Sequence, residues 1–176
     1  MPLSLILIFT LIVNKSNELF LFPSNIDQIL KPPAISFSRS KKILKNIYIN
    51  SNRNLTFYCN CFFNSKKGID IDSCNYSPRN PNRKRSKRLE FEHVVPVYNL
   101  GKNLQCWKEP MCQNKYSKKY KGRRCCSKIS TIFKKMESDM HNLFPTIGEI
   151  NEDRSNHRFG EILNKERKYG ACDFKV

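Results

Sequence analysis

Apolar positions repeat with two periods along this chain. In "RLEFEHVVP" (88–96), Leu89, Phe91 and His93 fall on one side and Glu90 and Glu92 on the other. That period of two predicts a strand over 89–98, ended by Pro96. "LTFYCNCFF" (55–63) predicts a second strand, and "NSKKGID" (64–70) a turn after it. Helical spacing occurs twice. The stretch 32–50 opens on Pro-Pro and a serine able to cap, and then places Ile43, Leu44 and Ile47 on one face. In 127–144, Ile129, Ile132, Phe133, Met136, Met140 and Leu143 form a single stripe, which predicts one helix broken by Pro145. A further helix is expected within 146–159, capped by Thr146 with Glu149 at the box position. Residues 75–88 and 106–126 follow neither period and read as loops, the first basic and the second rich in Cys and Lys. The apolar run 3–13 is short for a bilayer span and suits the core of a signal peptide over 1–22. No Lys or Arg precedes that run, and no small-x-small site stands before Pro23.

Composition changes this picture in two ways. A length of 176 residues suits one domain, and 32 Lys+Arg against 15 Asp+Glu give a net charge of +17. Such an excess points to polyanionic partners, although Lys, Asn and Ile richness is also what AT-rich coding yields. The eight cysteines lie at 59, 61, 74, 106, 112, 125, 126 and 172, and none forms a C-x-x-C pair. An even count beside a secretory leader favours disulfides over a zinc knuckle, with the connectivity open.

The chemistry then narrows to one place. Hydrolysing a phosphodiester requires a base for water, a cation at the phosphate and fixed positive charge along the backbone. Glu92 and His93 follow the basic run Arg79, Arg83, Lys84, Arg85, Lys87 and Arg88. Neighbours in a strand face opposite ways, but near Pro96 both can border one site. The alternative places His93 half-buried on the Leu89, Phe91, Val95 face. No Gly-rich phosphate loop and no serine or cysteine nucleophile motif is present. A second basic cluster comprises Lys115, Lys118, Lys119, Lys121, Arg123 and Arg124. It reads equally well as phosphate contact and as solvated loop.

Three blocks carry a resemblance: "FYCNCFFNSKKGIDIDSCNY" (57–76), "RLEFEHVVPVYNLGKNLQCW" (88–107) and "KMESDMHNLFPTIGEINEDRSN" (135–156). They resemble the signature blocks of bacterial endonuclease I. Those enzymes are periplasmic or secreted non-specific nucleases of the ββα-metal (His-Me finger) superfamily. The resemblance runs over 32–176 and implies an α+β fold: a ββα-metal core with disulfide-held loops and flanking helices. It implies a metal-dependent endonuclease acting on DNA, and on RNA as well, through direct attack of water. His93 matches the general base, Glu137 the carboxylate that orients it, and Arg123 the arginine at the scissile phosphate, with Arg124 the alternative register. Glu92 and Asn151 match the ligands of one Mg²⁺, for which Ca²⁺ or Mn²⁺ could substitute. Arg83, Lys84, Arg85, Lys87 and Arg88 are expected to contact nucleic acid. A monomeric, periplasmic or secreted protein without stable membrane association is implied.

The chain departs from the family pattern in two respects. The family assigns Cys106 and Cys126 to one bridge, and Cys112 and Cys125 fall within that span as an extra pair. Two nested bridges are therefore expected, with Cys59, Cys61, Cys74 and Cys172 pairing among themselves. The family also continues for several helices beyond the position of Val176, so a truncated chain is expected. The alternative function is accordingly an inactive nucleic-acid-binding remnant. A basic membrane-active peptide ranks last, because no amphipathic Lys-faced helix with aromatic anchors is present.

Overall fold

A computed structural model describes residues 35–65, 68–163 and 165–175. The apolar run 3–13 and the expected signal segment lie outside them. No helix among the described residues is long and apolar enough to cross a membrane.

The first helix, α1 (Phe37–Asn50), begins where expected: the Ser36 side chain accepts the Arg39 N–H, a serine N-cap. Leu44 is buried on its inner face, whereas Ile47 stays half exposed. The expected strand over 55–63 is not one. Leu55 and Phe62 share a single bridge, and the residues between them turn. Asn60 takes a left-handed conformation at φ 53°, which Asn tolerates, and its N–H closes on the Thr56 carbonyl. Two-residue strands β1 (Phe63–Asn64) and β2 (Gly68–Ile69) pair beyond it.

Strand β3 (Leu89–His93) is shorter than expected, because Pro96 is already the N-cap of helix α2 (Val97–Gly101). After α3 (Gln105–Lys108), the hairpin β4 (Cys112–Gln113) and β5 (Lys119–Tyr120) leads into α4 (Arg123–Ile129) and α5 (Thr131–Glu137). The single helix expected over 127–144 is thus two helices and a strand. Ser130 leaves helical geometry at ψ 112°, and its hydroxyl caps α5 by accepting the Phe133 N–H. The apolar stripe is correspondingly broken, with Ile129 and Ile132 exposed and Phe133 fully buried.

Pro145 sits inside strand β6 (Leu143–Ile147), paired antiparallel with β3 in the register Leu89↔Ile147, Phe91↔Pro145, His93↔Leu143. A proline is tolerated there because its carbonyl faces away from β3 and accepts the Phe57 N–H at 2.8 Å. In an antiparallel strand the N–H and C=O of one residue point the same way, so no β3 ladder bond is lost. Helix α6 (Gly148–Arg154) follows at once. It is shorter than expected and lacks the expected box: Thr146 is buried in β6, and Ile147 caps without a side-chain bond. The Glu149 carboxylate instead takes the Tyr76 hydroxyl and the backbone N–H groups of Arg79 and Asn80.

The period of two in β3 now has a use on each face. Leu89 and Phe91 pack with Leu44 of α1 and Leu143, while Glu90 and Glu92 bond Asn151 and Arg154 of α6. The β3–β6 pair is thereby held between two helices. A second core gathers Phe63, Tyr76, Ile147, Ile150 and Tyr169, and a third gathers Val97, Phe133 and the cysteines of the 106–126 region.

Four disulfides join Cys59 to Cys172, Cys61 to Cys74, Cys106 to Cys126 and Cys112 to Cys125. The last two are nested, with Cα separations of 5.2 and 5.6 Å. The Cys112–Cys125 bridge closes a loop with a sequence separation of 13. Closing a loop near this size stabilises by about 3 kcal/mol in the chain-entropy model. Replacing both cysteines with serine should therefore lower unfolding stability by about 2–3 kcal/mol in urea melts. A double variant as stable as the parent would show that the hairpin is held by its packing alone.

Candidate active site

Among the described residues, strand β3 has β6 on one edge and no strand on the other. Along that open edge, between α1 and α6, lies a cavity of about 1050 Å³. Its walls include Phe37, Lys41 and Lys45 of α1, Glu90 and His93 of β3, and Asn151 and Arg154 of α6. Arg85, Arg88 and Arg123 add positive charge at its rim.

His93 is buried, with its ring 4.9 Å from that of Phe37. Its Nε2 lies 2.8 Å from the backbone carbonyl oxygen of Glu137. A carbonyl only accepts, so Nε2 carries the hydrogen and Nδ1 holds the free lone pair of the neutral ring. Burial pushes the imidazole down to about 4, with the neighbouring Arg123 and Arg154 charges acting in the same direction and the Glu137 contacts opposing them. The ring is therefore neutral at physiological pH.

Glu137 was expected to orient His93 through its carboxylate. The contact runs through its backbone instead, because Glu137 ends α5 and its carbonyl is among those a helix terminus leaves unpaired. The carboxylate accepts the Arg123 Nε–H at 2.5 Å and the Ser127 hydroxyl at 2.6 Å. It holds the arginine rather than the histidine. Arg123, whose guanidinium also lies over the Phe37 ring at 5.0 Å, lines the cavity, and Arg124 does not.

Glu92 and His93 part company across the strand. His93 lines the cavity, while Glu92 is buried on the α6 face. One Glu92 oxygen accepts the Tyr58 hydroxyl at 2.8 Å and pairs with Arg154 Nε at 3.0 Å. The other is buried without a hydrogen-bond partner. Burial outweighs both partners and raises the Glu92 carboxyl above its usual range. Asn151 donates its amide to Glu90 at 2.7 Å, so its contact is with the carboxylate two residues before Glu92. Glu90 also takes Arg85 and Arg88; burial raises its pKa, but these partners and Asn151 hold it below the usual value. Gly148 permits this crowding, since a Cβ there would come within 2.8 Å of Glu90 Oε1.

An anionic oxygen buried without a partner is costly and is the kind of group a cation satisfies. A carboxylate and an amide oxygen form a donor set for a hard divalent ion. Among the described residues, no three His, Cys, Asp or Glu side chains gather as a group able to hold a metal ion, so any ion here would depend on fewer such ligands together with amide oxygens or water. The orphaned Glu92 oxygen is the feature of this site that a bound cation would satisfy.

The expected nucleic-acid cluster is divided. Arg83 and Arg85 pair with Glu152, and Arg85 and Arg88 pair with Glu90. Arg85 and Arg88 face the cavity, whereas Arg83, Lys84 and Lys87 do not line it. Sequence reasoning missed Arg154, which donates to the carbonyls of His93 and Val94 while pairing with Glu92. It also missed Tyr58, Phe37 and the Lys41, Lys45 pair. The signals were present: Arg154 stands three residues after Asn151, and Lys41 and Lys45 are four apart on one helix face.

Fold and site together define an α+β protein, held by four disulfides, with a cationic cavity beside a buried neutral histidine. The family model for endonuclease I matches residues 36–174. A periplasmic deoxyribonuclease of Aeromonas hydrophila is 46% identical over 124 residues, covering 69% of this chain and 47% of the relative. An extracellular deoxyribonuclease of the same organism is 40% identical over 146 residues, 81% of this chain and 58% of the relative. An Endonuclease-1 of Buchnera aphidicola is 39% identical over 160 residues, 89% of this chain and 58% of the relative. The chain belongs to the endonuclease I family, and it spans about half the length of the curated relatives it matches.

Proposed function

We propose that the protein is a metal-dependent endonuclease hydrolysing phosphodiester bonds of DNA, and of RNA, with β3, β6 and α6 as its ββα-metal core. The observation that carries this reading is the fixed tautomer of His93 in a cavity rimmed by arginines and lysines. With Nε2–H committed to the Glu137 carbonyl, Nδ1 is left to accept a proton from water. Burial keeps the ring neutral and therefore able to accept. Arg123, aimed by Glu137 and Ser127, binds the scissile phosphate. Arg85, Arg88, Lys41 and Lys45 hold the flanking backbone by charge, which carries no base preference. Glu92 and Asn151 would hold one divalent ion, Mg²⁺ or, in its place, Mn²⁺ or Ca²⁺. Such an ion supplies charge neutralisation at the phosphate and at the departing 3′ oxygen. Products would carry 5′-phosphates. The names of the relatives and the four bridges support export to an oxidising compartment, and the protein is read as a monomer without stable membrane association.

Nicking of supercoiled plasmid by the oxidised protein, with Mg²⁺ and with EDTA, tests the reading. Nicking that requires the metal is expected. Retention of plasmid without nicking under either condition would replace the enzyme by a binding protein. Glu92→Gln and Asn151→Ala should each raise the Mg²⁺ concentration for half-maximal nicking by about tenfold or more, since so few protein ligands leave little affinity in reserve. Should Glu90→Gln do this and Glu92→Gln not, the carboxylate ligand is the one already touching Asn151.

A further inference from the structure

A second cationic hollow, of about 660 Å³, lies on the hairpin that β4 and β5 form. Lys115, Lys118, Lys119, Lys121, Arg124 and Lys128 line it, and all six are exposed. Its residues are not those of the catalytic cavity. The arginines of the catalytic rim are largely neutralised by Glu90, Glu137 and Glu152. The hollow has no such counter-charge: no Asp or Glu occurs between Glu109 and Glu137, and no ion pair among the described residues involves these six side chains.

Its shape is also fixed in advance. The Cys112–Cys125 bridge ties the hairpin to α4, and the Asn114 side chain accepts the N–H groups of Tyr116 and Lys118 to close the tip. A ligand meeting this surface finds its charges already gathered, which lowers the ordering cost of binding. Two tyrosines stand among the cations. Tyr116 is 76% exposed with Lys115 over its ring, and Tyr120 carries the Arg124 guanidinium at 5.8 Å. Uncompensated cations interleaved with an open aromatic face are what a single-stranded polynucleotide engages, through its phosphates and by base stacking. A bilayer surface would be met instead by an amphipathic helix with apolar anchors, and this element is a short polar hairpin.

Arg123 and Arg124 are consecutive on α4, and one lines each cavity. Consecutive helical positions turn by about 100°, so the helix presents one arginine to each site. We propose that the β4–β5 hairpin is a non-catalytic exosite for single-stranded nucleic acid, which grips a strand beside the point of cleavage. This rests on the nuclease reading for its purpose, but not for its test.

The test is fluorescence anisotropy of a labelled oligothymidylate of about 12 nucleotides, within the usual site size for single-strand binders. It uses the full oxidised chain in EDTA, where no hydrolysis is needed, so failure here and failure of the nuclease reading are distinguishable. The variant Lys118→Ala/Lys119→Ala/Lys121→Ala should bind at least about tenfold more weakly. Its log K against log salt slope should be shallower by about 2, since three phosphates of a single strand would no longer be neutralised and would keep their counterions. Tyr116→Ala should weaken binding about fivefold or more, the lower end for one stacked base. Lys135→Ala/Lys165→Ala/Lys168→Ala removes the same charge outside both cavities and should bind as the parent does. Parent-like binding by the hairpin triple or by Tyr116→Ala overturns the exosite, as does an equal loss in the charge-matched control. Loss of binding to phosphatidylglycerol vesicles by the hairpin triple, with oligothymidylate binding intact, overturns it in favour of a lipid surface.

Discussion

His93→Ala is expected to lower plasmid nicking by about 10²–10⁴-fold, the usual contribution of a positioned general base, with DNA retention close to that of the parent. The separation of effects follows from what the side chain does. His93 is neutral and contributes no charge to phosphate binding, and its hydrogen bond is made to a protein carbonyl. The cavity beside β3 keeps its lining arginines when the ring is removed. Nicking rates measured beside filter retention under the same salt decide the matter. Parent-like nicking by the variant would remove His93 from the chemistry.

Arg154→Met should cost about 3–5 kcal/mol of unfolding stability at neutral pH, because it leaves the Glu92 carboxylate buried without its cationic partner. Both side chains are almost fully buried, so the loss is not screened by solvent. The variant also frees the carbonyls of His93 and Val94, and nicking should fall with stability. The pH dependence has a definite sign. A carboxyl whose folded pKa lies above its unfolded value destabilises the fold when ionised, so its penalty vanishes below the unfolded pKa and grows as pH rises. The deficit of Arg154→Met, measured by urea melts in EDTA, should therefore narrow as pH falls toward the ordinary Glu range near 4.3. Adding Glu92→Gln to the variant should recover part of the loss at neutral pH. A deficit that widens on acidification would mean that Arg154 acts through packing rather than charge.

What the sequence revealed and what it hid follow a physical division. The alternation in "LEFEH" was legible because a strand covered on both faces must sort its side chains, and β3 does so: Phe91 to α1, and Glu90 and Glu92 to α6. Ser36 was legible because an N-cap is a local device. The stripe over 127–144 misled because Ser130 caps a new helix in mid-pattern, a local signal overruled by an apparent period. Pro145 misled for a different reason. Its cost in a strand depends on which way its N would point, and that depends on Phe57, far away in sequence. The resemblance brought Glu92, His93, Glu137 and Asn151 into view as a set, but not who touches whom. That Asn151 meets Glu90, and that Glu137 reaches His93 by its carbonyl, are consequences of α5 and α6 ending where they do.

The bridge between Cys59 and Cys172 spans a sequence separation of 113 and encloses β3, β6 and α6, and with them Glu92, His93, Arg123, Glu137 and Asn151. This part of the chain is thus one covalent ring. A protease that cuts once anywhere on that ring, as in the exposed segment around Asn156–Gly160, opens a circle into a line without releasing a fragment. Two cuts are needed before any piece can leave, and a single nick lets the severed ends find their places again. Tolerance of the first cut is built into the connectivity rather than into the strength of any contact.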